Sequence, residues 1–498
     1  MTSLLNTTPH HAPAAALDFL AAAPRNLLID GRWQNAISGQ TFDVIDPTSE
    51  QPIAAVALAG AADVDLAVHA AHKAFQSPGW SAITAHRRAR YLLDIADLIE
   101  ANADELGMLQ SLEMGAVYAQ SRMMAVMMAD VFRYYAGWTT KIFGHTNPSE
   151  ASMFNYTLRE PLGVVAAIIP WNGPILAACW KLAPALACGN TVVMKPAELA
   201  PLAVLRLAQL MQQAGLPDGV INMVPGTGAD AGEALIHHRL VAKLAFTGST
   251  AVGKHLMEVA AGAMKKISLE LGGKSPTVVF ADADLDKAAA MSAFGFAGNT
   301  GQMCVAGSRI FVQDCVYDAF VDKLTGAVAA IKTGSPFDEQ SAIGPLASRT
   351  QYERVMGFID LAHSEGARML VGPVSSHARG YFVEPTIFTD VHAEMRIVRE
   401  EIFGPVAVVM RFTDEHDAIF QGNDTDYGLS ACVWTRDLAL GLRMGKALKA
   451  GTVWVNTMFN LDPASPFGGY KASGTGRELG PESIDNYTQT KSVYVSLT

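Results

Sequence analysis

The sequence predicts an α/β protein whose core is parallel β-sheet. Three observations carry that expectation. Short apolar, β-branched runs alternate with helix-length stretches in two separate parts of the chain, a pattern that calls for right-handed crossovers and parallel strands. A long stretch from about 60 to 143 repeats apolar residues at intervals of three and four, the period of amphipathic helices. Gly/Pro-rich seams at 270–276 and 463–480 are candidate junctions between domains.

The elements follow in order. The first twenty or so residues, MTSLLNTTPHHAPAAALDFL, lack a basic lead and a long apolar core. They read as a loose tail and not as a secretion signal. Helices come next, through ADVDLAVHAAHKAF and HRRARYLLDIADLIEANADELGMLQSLE. From residue 163 the texture changes. GVVAAII (163–169), TVVMK (191–195), VINMV (220–224) and VAKLAF (241–246) read as buried strands, with helices expected near 175–187 and 200–214. A second α/β unit begins after ELGGK. Its strands are SPTVVF and SRIFVQ, and its helices lie near 284–297 and 316–331. The final KSVYVSL alternates as a strand and is expected to pair outside its own domain.

Composition removes several classes of function. The 498 residues suit roughly two to four domains. Half are apolar and 17% charged, as in a globular chain. A net charge of −11 argues against broad binding to nucleic acid or an anionic membrane. Five scattered cysteines without a C-x-x-C pair argue against a disulfide framework and point to a reducing cytoplasm. No apolar run approaches the roughly 20 residues of a membrane helix.

One motif poses a question. FTGSTAVGKH (246–255) reads G-x-x-x-x-G-K-H from Gly248, one residue away from a triphosphate P-loop. That loop ends in Ser or Thr, whose hydroxyl holds Mg²⁺; here His255 stands in its place. The strand-to-helix turn at Gly248–Gly253 would aim backbone N–H groups and a helix dipole at a phosphate. An ordinary Gly-rich turn fits equally well. GTGADAG (226–232) and SGTGRELG (473–480) have the wrong spacing for a dinucleotide fingerprint and read as turns. Glu198, in KPAE after the second strand, stands where a doubly wound nucleotide site puts an acid on the adenosine ribose, and Lys195 can reach the same ribose. A carboxylate there repels a 2′-phosphate and favours NAD over NADP. A surface Lys–Glu pair would look the same.

Three further residues suggest covalent chemistry. Cys304, in NTGQMCVAGSR (299–309), is flanked by small residues that let backbone amides approach. No histidine lies near it in sequence, so a Cys–His dyad has no local support. Glu270, in ELGGKSP, is an acid among glycines, suited to activating water. Asn172, in PWNG, leaves the carboxyl end of the first strand, where its amide could steady an oxyanion. Inert packing for Cys304 and a plain turn for Asn172 remain open on these residues alone.

PWN, KPAE, FTGS, ELGGK, GQMC, EEIFGPV (400–406) and PFGGYKASGTGRELG (466–480) occur in the order seen in the aldehyde dehydrogenase superfamily. The likeness spans about 27–498, and the chain most resembles the tetrameric, NAD-preferring branch. The resemblance implies a Rossmann-like parallel-sheet cofactor domain (1–142 and 162–271), an α/β catalytic domain (272–470) and a small β oligomerisation arm (143–161 and 484–498). It implies Cys304 as nucleophile, Glu270 as general base, and Asn172 with the Cys304 N–H as oxyanion hole. Lys181 and Glu478 match positions that relay protons from Glu270. Lys195 and Glu198 would hold the adenosine ribose, and Gly248 and Ser249 the pyrophosphate. Ile168, Trp171 and Leu271 would be further cofactor contacts. Glu401 would bind the nicotinamide ribose and Phe403 would flank the nicotinamide. No metal is required. The implied reaction passes through a cysteine thiohemiacetal and a thioester, so the thiol pKa is expected to be depressed. The expected partners are a small-molecule aldehyde and further copies of the chain, as dimer or tetramer, with no nucleic acid and no membrane.

The substrate end departs from many relatives. After PWN they carry an aromatic where this chain has Gly173, with Ala177 one turn later. Met123, Met124 and Met127 are expected on the opposite wall and Leu461 at the mouth. Small residues and soft methionines suggest a wide tunnel for a bulky apolar aldehyde: aromatic, terpenoid or long-chain. The Met stripe reads equally as ordinary core. Competing readings are a CoA-acylating enzyme, a catalytically idle NAD-binding structural protein and, weakest, a P-loop ATPase.

Overall fold

Two sheets, of eight and seven strands, form the frame, and helices cover them. The computed structural model describes residues 14–21, 26–373 and 377–498. In the first sheet Lys266–Glu270, Val241–Thr247, Val164–Ile168, Thr191–Lys195 and Ile221–Met223 lie side by side, in that order and all parallel. Every residue of Thr191–Lys195 is buried, which is why these runs are continuously apolar and do not alternate. Antiparallel pieces extend both edges. Gly474–Thr475 pairs with Leu269 and Glu270, and Leu27–Ile29 with Arg32–Gln34 lies beyond Ile221–Met223. The stretch SGTGRELG, expected to be a turn, therefore contributes an edge strand.

The second sheet runs Arg368–Val371, Thr386–Thr389, Val406–Phe412, Arg309–Gln313, Pro276–Val279, Ser430–Trp434, Thr452–Val455. All its pairs are parallel except the first. The expected helices form as Pro174–Ala187, Leu202–Gln213, Leu285–Ala297 and Tyr317–Ala329. The helical stretch resolves into Ala61–Gln76, Pro78–Ser81, Ala85–Ala101, Ala103–Met114 and Tyr118–Trp138. The last of these packs on Pro174–Ala187 and so ties the helical layer to the sheet end that carries the site.

The N-terminal reading needs correction. Residues 1–13 lie outside the described residues, but Ala14–Ala21 is a helix, with Phe19 and Leu20 buried in the main core. Alanine and leucine favour helix, and the two apolar side chains dock it. At the other end Thr488–Ser496 pairs antiparallel with Met153–Pro161, from Thr488 against Pro161 to Ser496 against Met153. Tyr494, Val495 and Leu497 are exposed there. Among the described residues no helix is long and apolar enough to cross a membrane.

Glu113 fixes the loop that carries Lys195 and Glu198. Its buried carboxyl accepts hydrogen bonds from the N–H groups of Leu202 (2.5 Å) and Ala203 (3.1 Å), at the start of helix Leu202–Gln213. Burial pushes Glu113 from the ordinary 4.5 up to about 8, against the lowering effect of those two amides. Between these values the folded chain holds a proton that the unfolded chain has lost, so stability falls as pH rises through that window. Urea denaturation at about pH 5 and about pH 8 should show this loss in the wild type and a smaller one in Glu113→Gln.

Candidate active site

Strand order locates the site. On one side of the boundary between Val164–Ile168 and Val241–Thr247 the chain proceeds to Thr191–Lys195 and Ile221–Met223; on the other it proceeds to Lys266–Glu270. Ligands of open α/β sheets bind at the carboxyl ends of strands, at such a reversal. Ile168, Trp171 and Asn172 leave the first of the two strands there, and Gly248 and Ser249 leave the second.

The P-loop-like motif acquires a physical reading. Ser249 caps helix Thr250–Ala263, its Oγ accepting from Val252 N–H at 3.4 Å. Its glycines serve close packing. A Cβ on Gly248 would lie 2.4 Å from Phe246 Cζ, and one on Gly253 would lie 2.4 Å from Leu271 Cδ2. His255 turns away to Glu233, with its Nε2 2.9 Å from Oε1. Across the groove Lys195 Nζ donates to Glu198 Oε2 at 3.3 Å, and burial lowers the Lys195 pKa. Gly228 N–H donates to Glu198 Oε1 at 3.0 Å. GTGADAG is thus more than a turn: Gly228–Gly232 forms a π-helical turn, capped by Thr227, against Glu198. A motif search by glycine spacing misses it; the visible signal was Thr227 three residues before Asp230.

Cys304 ends a strained loop. Asn299, Thr300 and Gly301 all have left-handed φ, at 49°, 55° and 70°. Such backbone persists only where its surroundings hold it. Here Asn299 Nδ2 donates to the Asn172 carbonyl (3.0 Å), Asn172 Nδ2 donates to the Gln302 carbonyl (2.8 Å), and Gln302 Oε1 accepts from Ala347 N–H (2.9 Å). The glycine pair of ELGGK presses on the same loop. A Cβ on Gly273 would lie 2.2 Å from the Cys304 carbonyl oxygen, and one on Gly272 would lie 2.3 Å from Glu401 Oε2. Gly273 N–H donates to Glu401 Oε1 at 2.9 Å. Phe403, at φ 61°, sets its ring edge-on to Trp171, with centroids 5.4 Å apart.

The expected depressed thiol is overturned. Burial pushes Cys304 up to about 12, and the carboxylates of Glu401 and Glu270 add to the effect. Glu401 is itself raised to about 7 by burial. Glu270 lies at the end of its strand with both carboxyl oxygens buried and without a hydrogen-bond partner. A Cβ on Gly468 would be 2.8 Å from its Oε1. Burial, and then the nearby Glu478, raise Glu270 well above the usual carboxylate range, while Lys181 and Arg477 pull it down. Lys181 and Glu478 are both buried and form a direct ion pair, and Lys181 Nζ also donates to Thr247 Oγ1 at 2.6 Å. The two residues expected behind Glu270 are thus brought together with it.

The substrate wall is mixed. A Cβ on Gly173 would touch only Leu176 Cβ, at 3.8 Å, so the space an aromatic would fill is open. Met123 and Met127 are exposed and Met124 is half-buried against the main core, so the stripe as a whole is not core. Ala177 is buried within that core, and Leu461 packs against the cores of both large sheets. The sequence reading missed the aromatic pair Trp180 and Phe467, with centroids 5.0 Å apart. Phe467 precedes Gly468 and Trp180 precedes Lys181, so both flank the Glu270 cluster. Their adjacency to motif residues was the available signal.

A thiol, a buried unpaired carboxyl and an Asn amide come together where two α/β sheets adjoin. Comparison with known proteins identifies the family. The model of the aldehyde dehydrogenase family matches residues 33–493, and the chain belongs to that family. An aldehyde dehydrogenase from Aspergillus niger is 45% identical over 475 residues, 95% of each chain. A Bacillus cereus aldehyde dehydrogenase, solved as its NAD⁺ complex, superposes with a TM-score of 0.97 at 44% identity, covering 99% of this chain and 100% of that one. A Staphylococcus aureus betaine aldehyde dehydrogenase in complex with NAD⁺ gives 0.95 at 37% identity, covering 99% and 98%. The chain has the aldehyde dehydrogenase fold, and oxidation of aldehydes is its chemistry.

Burial, with Glu478 adding to it, favours the protonated form of Glu270, and a Glu270 acting as base must first lose that proton. The low-pH limb of the pH–rate profile for aldehyde oxidation should therefore follow Glu270. In Glu478→Gln the repelling carboxylate is gone and Lys181 remains, so the limb should move to lower pH.

Proposed function

We propose that the chain is an NAD-dependent dehydrogenase that oxidises a bulky, apolar aldehyde to its carboxylic acid through a thioester on Cys304. The observation that carries the reading is the convergence of Cys304, Asn172 and the unpaired Glu270 carboxyl on one buried seam.

The cofactor residues fit a dinucleotide. Glu198 and Lys195 suit the two hydroxyls of an adenosine ribose, Ser249 and the helix N-terminus suit the pyrophosphate, and Glu401 suits the second ribose. A carboxylate at Glu198 disfavours a 2′-phosphate. When bound, oxidised NAD supplies the hydride acceptor and a positively charged ring that favours the Cys304 thiolate. The thiolate adds to the aldehyde carbon, and Asn172 Nδ2 and the Cys304 N–H take the developing oxyanion. Hydride leaves that carbon and the C–S bond remains as a thioester. Glu270 then takes a proton from water as the oxygen adds to the acyl carbon, and the C–S bond breaks to return the thiolate. Glu270 passes its proton towards the Lys181–Glu478 pair. Its position, free of other partners, supports water and not coenzyme A as the acceptor.

The open space at Gly173 and the Trp180–Phe467 pair support an aromatic, terpenoid or long-chain substrate. Residues 1–142 with 162–271 would form the cofactor domain, 272–470 the catalytic domain, and 143–161 with 484–498 an arm. The exposed apolar residues on the Thr488–Ser496 strand support burial of that arm in a cytoplasmic dimer or tetramer.

An aldehyde panel with NAD and NADP tests the reading. Citral- and benzaldehyde-like compounds with NAD should exceed acetaldehyde and succinate semialdehyde in kcat/KM, and the reverse order would contradict the wide tunnel. Cys304→Ser and Glu270→Gln should each lower turnover by about a thousandfold or more. Full oxidative activity in Cys304→Ser would overturn the assignment.

A further inference from the structure

His255 is the residue that spoils the P-loop match, and the reaction leaves it without a role. Its Nε2 donates to Glu233 Oε1 at 2.9 Å, while His237 Nε2 faces Glu233 Oε2 at 3.3 Å. Glu233 opens the helix Glu233–His237, and His255 belongs to Thr250–Ala263, so the pair bridges two helices. The side chains are 41% and 45% exposed. A polar contact that open to water adds little to stability, so a structural account of it is weak.

Its position is informative. Glu233 directly follows Gly232, where a Cβ would lie 3.8 Å from Lys195 Cδ. One bank of the groove is thus the π-helical turn around Lys195 and Glu198, running into Glu233. The other bank starts at Ser249 and runs through Val252 to His255. Val252 is an exposed apolar residue one helical turn before His255, a surface that suits the face of a flat ring. A ribose on Glu198 with its phosphate at Ser249 would leave its base beside these two helices.

We propose that Glu233, held by His255 and His237, is the residue that reads the purine of the dinucleotide by accepting a hydrogen bond from the 6-amino group of adenine. The inference rests on the dinucleotide reading of the groove. A carboxylate has only acceptors to offer. It favours a base with an amino donor at C6 and repels one with a carbonyl there. His255 is a positioning residue: its imidazole donates to the carboxylate and orients it.

The test compares NAD with nicotinamide hypoxanthine dinucleotide, which differs only in carrying a 6-oxo group. The wild type should bind NAD about tenfold more tightly than the hypoxanthine analogue, read as Kd from quenching of tryptophan fluorescence without aldehyde, with the same order in kcat/KM, as expected for a hydrogen bond to a charged group. Glu233→Gln can accept from an amino group or donate to a carbonyl, so its ratio should fall to near one, with the change in the KM for NAD. Glu233→Ala should also level the ratio. His255→Leu should reduce the preference only partly. A merely structural bridge would change both dinucleotides alike. If the wild type shows no preference, or Glu233→Gln keeps the wild-type ratio, this assignment falls while the dinucleotide reading stands. If the wild type binds neither dinucleotide, the dinucleotide reading falls as well.

Discussion

The site depends on the high cost of charge in a dry seam between two sheets. Cys304, Glu270 and Glu401 are each held from ionising first by burial. Both carboxylates also raise the thiol. The compensating cations are placed behind them. Lys181 is buried against Glu478, and Lys274 is lowered to about 7 by its own burial. A site of this kind stays nearly neutral until something positive enters it.

The fold supplies this arrangement by bringing strand ends together. Val164–Ile168, Val241–Thr247 and Lys266–Glu270 are adjacent and parallel, so the residues leaving them share one edge. Asn172, Ser249 and Glu270 sit just beyond or at those strand ends. The second sheet contributes Cys304, from the loop before Arg309–Gln313, and Glu401, from the loop before Val406–Phe412. Glycines then permit loop to touch loop. At Gly273 the backbone meets the Cys304 carbonyl, and at Gly468 it meets the Glu270 carboxyl. Any side chain at these positions would push Cys304 or Glu270 out of place.

Much of this was legible in the sequence. Buried parallel strands announce themselves as short β-branched runs, and the four between 163 and 246 form where such runs occur. Cys304, Glu270 and Asn172 stood out in local motifs, Lys181 and Glu478 only through the family resemblance, and the structure brings the five to one seam. What escaped depends on contacts between distant segments. The π-helical turn at Gly228–Gly232 is defined by Glu198, and the Trp180–Phe467 pair by a helix and a loop far apart in the chain. The thiol pKa was misjudged for the same reason: flanking residues suggest accessible amides, while the carboxylates that raise it come from residues 270 and 401. The helix Ala14–Ala21 was hidden by its shortness, since only docking on the main core stabilises it.

The most direct test is the pH dependence of Cys304 alkylation by iodoacetamide, followed by peptide mass spectrometry, with and without NAD. The account predicts that without NAD the rate keeps climbing to about pH 10 with no plateau, as a thiol raised to about 12 requires. With NAD bound, the plateau should appear at clearly lower pH and the rate near neutrality should rise sharply. A plateau below about pH 8 without NAD, unchanged by adding it, would show that burial and the neighbouring carboxylates do not control the nucleophile.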